Sequence, residues 1–227
     1  MIYDDFAQTV TANYKLFLTA LFGRYQSIIA AGVTVTPHAV REFATDATDL
    51  SLTFFSTVRD KIEHYQKELY LESGDSPQTA ETAKDEALAS LNKAVLANIG
   101  QLVKLLRVGT ADYKKAGGAM GQLIQKKLGS VEFKVYDTAN RKWDAVRIVT
   151  VTMRDFAYQT WVDQRLKQLQ DEGYTLAQVK YDDPAKVGRE IVFAIEKKVG
   201  DYPNLDDIRA SVFHINSTAK VVGYVLS

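Results

Sequence analysis

The groups best placed by type to do chemistry in this chain are an imidazole and a carboxamide two residues apart, His214 and Asn216. An imidazole titrates near neutral pH, so it can serve as a base or a metal ligand. The same two side chains suit a second role: in a loop between strands they bond to backbone and fix where the next strand enters its sheet. That structural role is expected here. No Ser/His/Asp order, paired-carboxylate pocket or dinucleotide fingerprint can be defended, so no catalytic residue is assigned. The other two histidines, His38 and His64, lie far apart in helical segments and are expected at the surface, without metal-ligand spacing to another His, Asp or Glu. Asp182 and Asp183, with Asp206 and Asp207, offer carboxylates for a divalent cation, but acids beside a proline or at a helix start act as turn and cap residues, and no metal is expected.

A second set is cationic. Gly117, Gly118 and Gly121 lie between Lys114, Lys115 and Lys126, Lys127. No Gly-Lys-Ser or Gly-Lys-Thr follows and no strand precedes, so a phosphate-cradling loop is not specified. The lysines cluster in sequence with Arg141 and Lys142, and Tyr113 and Trp143 stand nearby. Lys114, Lys115, Lys126, Lys127, Arg141 and Lys142 are therefore candidate contacts to a DNA backbone, weighed against a plain solvated face.

Composition bounds these readings. The 227 residues carry 28 Lys plus Arg against 28 Asp plus Glu, so overall charge draws the chain to neither nucleic acid nor membrane. With no Cys, disulfides, thiol catalysis and thiolate metal sites are excluded together. The N-terminal residues lack the basic leader and apolar run of a secretory signal, and no apolar stretch approaches the roughly 20 residues that span a bilayer. The expectation is a cytosolic, non-membrane protein without a cofactor.

The elements that must position these residues are mostly helices. Phe6, Val10, Phe17, Leu21 and Ile28 recur at helical steps over 3–31. Thr36 and Pro37 supply a cap and a first-turn proline for a second helix. Phe55, Val58, Ile62, Tyr65 and Leu69 mark a bundle helix over 50–71, and Leu88, Leu91, Val95, Leu102 and Leu106 mark another running from Pro77 to about 107, the two forming an antiparallel pair. A kinked Gly-rich helix is expected over 111–128. Period-two alternation first appears at 131–136. Helix is expected again over 146–172, although 146–151 is β-branched, with strands at 177–181, 190–195 and 220–226. A loop holding His214 joins the last two. The fold class is therefore α+β, mostly α: an N-terminal helical bundle over 1–129, then a small mixed α/β domain with a short sheet over 130–227.

The order of Gly188 and Phe193, then Pro203 and Leu205, then His214 and Asn216 before a final hydrophobic strand resembles the end of the MuF-like minor head proteins of tailed bacteriophages. Those proteins commonly end in a His-Pro-Asn-Cys-Arg-Cys signature. The matching residues are His214, Ile215, Asn216, Ser217, Thr218 and Ala219, so the His and Asn are kept while the Pro, the Arg and both Cys are absent. The resemblance extends back to Val146 and covers about the last third of the chain. It implies a low-copy structural protein of head morphogenesis, located in the virion near the portal and in the host cytoplasm during assembly. Its implied partners are portal or capsid protein, further copies of itself and, non-specifically, packaged DNA. The alternative is a small enzyme, a transferase or hydrolase, with a site between 190–195 and the His214 loop.

Overall fold

A computed structural model describes residues 2–30, 35–70, 78–112, 131–136, 140–182, 184–186, 190–214 and 217–225. The fold is α+β and mostly α, as the patterning requires. Helix α1 spans Ile2–Ala30, α2 Pro37–Tyr70, α3 Gln78–Asp112, α4 Ala145–Asp171 and α5 Leu205–Val212. Strands are β1 Lys134–Tyr136, β2 Lys142–Asp144, β3 Leu176–Lys180, β4 Val192–Ala194 and β5 Lys220–Tyr224.

The expected helical faces are the buried ones, with local shifts. Phe6, Val10, Phe17 and Leu21 of α1 are buried, joined by Tyr3, Tyr14 and Tyr25. The second and third helical segments are one continuous helix, α2, whose start is capped by the Thr36 hydroxyl accepting the Ala39 N–H at 3.1 Å. In α2 the buried positions are Phe54, Val58, Ile62, Tyr65 and Tyr70, while Phe55 and Leu69 are only half buried. In α3, Asn98 fills the gap between Val95 and Leu102. It is fully buried, and its amide donates to the Tyr14 hydroxyl while its Oδ1 finds no hydrogen bond among the described residues. The kinked helix expected over 111–128 lies, past Asp112, outside the described residues.

The β-branched run that opens α4 is helical for two reasons. The Asp144 carboxylate accepts the Arg147 N–H at 2.9 Å, capping the first turn. Val149, Met153 and Phe156 then fall on one buried face at steps of four and three.

Sheet β4-β3-β5 is antiparallel, with β3 in the centre and Gln178 opposite both Val192 and Val222. The loop expected between β4 and β5 contains α5. The Asp207 carboxylate accepts the Asn204 N–H at 2.9 Å at its start, and Ile208 and Val212 are its buried face. Only Val221 of the last valines is buried. Val222 is half buried because alternation turns it to the face opposite Val221, and Val225, past the end of β5, is 72% exposed.

By spatial contact the chain forms two compact units, one from residues 1–7, 63–85 and 151–227, the other from 8–62 and 86–150. The expected boundary at 129/130 lies outside the described residues. In the first unit, Tyr3 packs edge-on against Tyr158 at 5.2 Å and Phe6 against Tyr65 at 4.6 Å, which ties the start of α1 to the C-terminal elements. In the second, Tyr14 and Phe17 of α1 meet Phe54 of α2, and Thr11 bonds Thr150 of α4 at 3.0 Å. The first turns of α4 therefore belong with the helical bundle.

Candidate functional site

The loop after α5 is held by the polar face of α4. Positions 155, 159 and 163 step by four, as do 154 and 158, so Asp155, Gln159, Asp163, Arg154 and Tyr158 line one side of that helix. Arg209 of α5 donates to the Asp163 carboxylate at 2.5 Å and to Gln159 Oε1 at 3.3 Å. The Gln159 amide donates to the Phe213 carbonyl. Arg154 pairs with Asp4 at 2.8 Å, lies over the Tyr3 ring at 5.5 Å, and extends toward the Ser217 carbonyl at 3.5 Å.

Tyr158 is the centre of this arrangement. Its buried hydroxyl lies 3.0 Å from the Ala219 carbonyl and 3.2 Å from the Ser217 hydroxyl. It has one proton to give, so it donates to the carbonyl and accepts from Ser217, whose oxygen in turn accepts the Ala219 N–H at 3.1 Å. Burial, the largest effect, pushes the Tyr158 phenol up to about 12, and the Ser217 hydrogen bond opposes that shift. Ser217 and Ala219 are both 1% exposed. A hydroxyl and a methyl thus stand buried against Tyr158 at those positions, immediately before β5.

The expected site residues separate into two groups. Phe193 is fully buried on β4 and packs edge-on against Phe213 at 6.0 Å. The Pro203 carbonyl accepts the Ala194 N–H at 2.9 Å, and Leu205 is the first residue of α5. The His214 imidazole is exposed, while its carbonyl accepts the Ser217 N–H at 2.7 Å and closes the turn. The His214 charge also acts on Asp155. Burial raises the Asp155 carboxyl above its ordinary value, and a Gln159 hydrogen bond, Arg154 and His214 each pull it back. Gly188 and Asn216 lie outside the described residues. So do Lys114, Lys115, Lys126 and Lys127, while Arg141 and Lys142 stand on the ribbon formed by β1 and β2.

Three further points bear on chemistry. His38 and His64 do have acid partners: each pairs with a Glu one helical turn on, Glu42 at 3.3 Å and Glu68 at 3.2 Å. The four-residue steps from His38 to Glu42 and from His64 to Glu68 bring each pair together, and one His with one Glu on an exposed face is an ordinary surface pair. Asp182 pairs with Lys220 at 2.5 Å, and Asp183 lies outside the described residues. Among the described residues no cluster of three or more His, Cys, Asp or Glu is arranged to hold a metal ion, and no helix is long and apolar enough to cross a membrane. In an open cleft of about 510 Å³ beside Arg24, His38 and Arg41, Arg24 pairs with Asp46 at 2.6 Å and His38 with Glu42.

The groups sequence reasoning missed are Tyr158, Gln159, Arg154 and Ser217. The available signal was the four-residue polar spacing on α4. Comparison with protein-family models, with curated proteins and with solved structures found no match to this chain.

Proposed function

We propose that this chain is a structural protein of a tailed-phage head, a minor head component that acts by binding portal or capsid protein during morphogenesis. The observation that supports this reading is how the His214 loop uses its polar groups. Ser217, the Ala219 backbone and the Phe213 and His214 carbonyls are bonded to α4 or to the loop itself. Segments committed in this way on either side of positions 215–216 serve a rigid docking module better than a site that must exchange substrate. The long helices add extended exposed faces for partner contact and for self-association. Under this reading the protein works near the portal in the virion and in the host cytoplasm before that.

Co-expression with the portal and major capsid proteins of the same genome, followed by size-exclusion chromatography, tests the reading. Co-elution with either, retained by His214→Ala, is the expected outcome. Failure to bind both would remove the proposal, and a hydrolase or transferase activity lost in His214→Ala would replace it with the enzyme alternative.

A further inference from the structure

Helix α3 carries two rows with the spacing of a helix–helix seam, and only one of them is buried. Leu91, Val95, Asn98 and Leu102 step by four, three and four on the core side. On the outer side Glu86, Ser90, Lys93, Ala97, Gly100 and Lys104 also alternate steps of four and three, and all six are solvent-exposed. Leu96 flanks the outer row and is 58% exposed. The whole row lies within one compact unit, the one formed by 8–62 and 86–150.

This outer row has opposite charges at its ends and small side chains between them. Glu86 and Lys104 stand 18 residues apart, about five helical turns and about 27 Å, and therefore on the same side of the helix. Between Glu86 and Asp112 the helix has no acid, so the negative end is set by Glu86 and the positive end by Lys104. Ser90, Ala97 and Gly100 leave room for another backbone to come close. Gly100 has open space where a Cβ would stand, so nothing in this chain requires glycine there, although glycine weakens a helix interior relative to alanine.

We infer that this face binds a second copy of the chain, the two α3 helices running antiparallel about a twofold axis level with Val95. Charge complementarity decides both the occupant and its direction. Positions 86 and 104, 90 and 100, and 93 and 97 are each symmetric about 95, so the antiparallel pair sets Glu86 of each copy against Lys104 of the other. Parallel pairing would set Glu86 on Glu86 and Lys104 on Lys104. A uniformly acidic partner would meet repulsion at Glu86, and a uniformly basic one at Lys93 and Lys104. In the antiparallel pair the aliphatic stem of Lys93 lies against Ala97 of the second copy, beside the space that Gly100 leaves. One pair of helices over about 27 Å covers less than the standard interface of about 1,600 Å², so the dimer is weak, with a dissociation constant on the order of 10–100 μM. The inference names the face by which copies associate, and it holds whether or not the chain joins a head.

Sedimentation equilibrium of the full chain at low salt, from about 1 μM to about 500 μM, tests the inference. The chain should pass from monomer to dimer across that range. Glu86→Lys turns both end pairs from attraction to repulsion and should weaken the dimer about tenfold, as should Lys104→Glu. The two substitutions together exchange the signs and should restore association. Gly100→Gln should raise the melting temperature, because glutamine is the better helix former, while weakening the dimer about tenfold by keeping the backbones apart. These positions are exposed, and an unchanged circular dichroism spectrum verifies the fold of each variant. A chain that stays monomeric throughout, a dimer that none of the single variants weakens, or a charge-exchanged double variant that does not recover would each overturn the inference.

Discussion

At the residue scale the account rests on Tyr158. Replacing it with Phe leaves the buried Ser217 hydroxyl and Ala219 carbonyl without their partner. Unpaired buried groups cost about 1–3 kcal/mol, so Tyr158→Phe should lower unfolding free energy by that order in urea denaturation. Ser217→Ala disturbs the same network, so the double variant should cost measurably less than the sum of the two. Additive effects would show that the two hydroxyls do not act together. Asp155 makes a prediction of opposite sign. Because burial raises its carboxyl pKa, the folded state holds that proton more tightly than the unfolded chain. The associated stability is complete at acid pH and is lost as pH rises through the raised value. Asp155→Asn, which cannot ionise, should therefore melt higher than the parent at neutral pH, with the gap closing in acid; an equal gap at both pH values would contradict this. His214 and Asn216 stand out in the sequence because their chemistry is rare. The residues that hold the loop are ordinary types on a helix 54 to 61 positions earlier, and nothing local to the loop points to them.

At the element scale, long helices were legible because each repeats its apolar spacing many times. Helix α5 was not, since it has eight residues and only two buried side chains to signal it. Strand β2 was missed for a similar reason: three residues, Lys142–Asp144, give alternation almost nothing to act on. The last strand could be read from its valines, but its end at Tyr224 and its edge position could not, so burial is overestimated at Val225, which lies past that end. Gly223 is a further consequence of that position. A Cβ there would lie 2.5 Å from the Tyr174 ring, so the ring covers this stretch of β5 only because the side chain is absent. Gly223→Val should therefore destabilise by about 1–3 kcal/mol, the range for overpacking, and the melting temperature should fall. Restoring room with Tyr174→Ala should recover part of that loss. If Gly223→Val melts like the parent, the ring does not sit where the geometry puts it.

At the scale of the whole molecule, the chain divides by contact and not by sequence order. The expected 129/130 boundary rests on where the sequence pattern changes from helix to the first strand, and it lies outside the described residues. Rings at Tyr3 and Phe6 join the start of the chain to Tyr158, Tyr65 and Phe156, and no local pattern announces such pairings. Buried tyrosines in both units give one prediction for the entire protein. Burial pushes Tyr25, Tyr70 and Tyr158 up to about 12 and raises Tyr14 and Tyr65 further. The unfolded chain loses these protons near pH 10 while the folded one keeps them, so it binds fewer protons and stability falls as pH rises across that window. Each tyrosine contributes a slope of about 1.4 kcal/mol per pH unit there. Melting temperature should hold level up to about pH 10 and then drop steeply, and a flat profile to pH 12 would refute the burial assignments. The central claim, that this chain is a component of phage heads, is tested most directly by mass spectrometry of gradient-purified heads from the phage or prophage that encodes it. The account predicts the chain in those heads at a constant, low ratio to the major capsid protein. Its expression during assembly together with its absence from purified heads would contradict that claim.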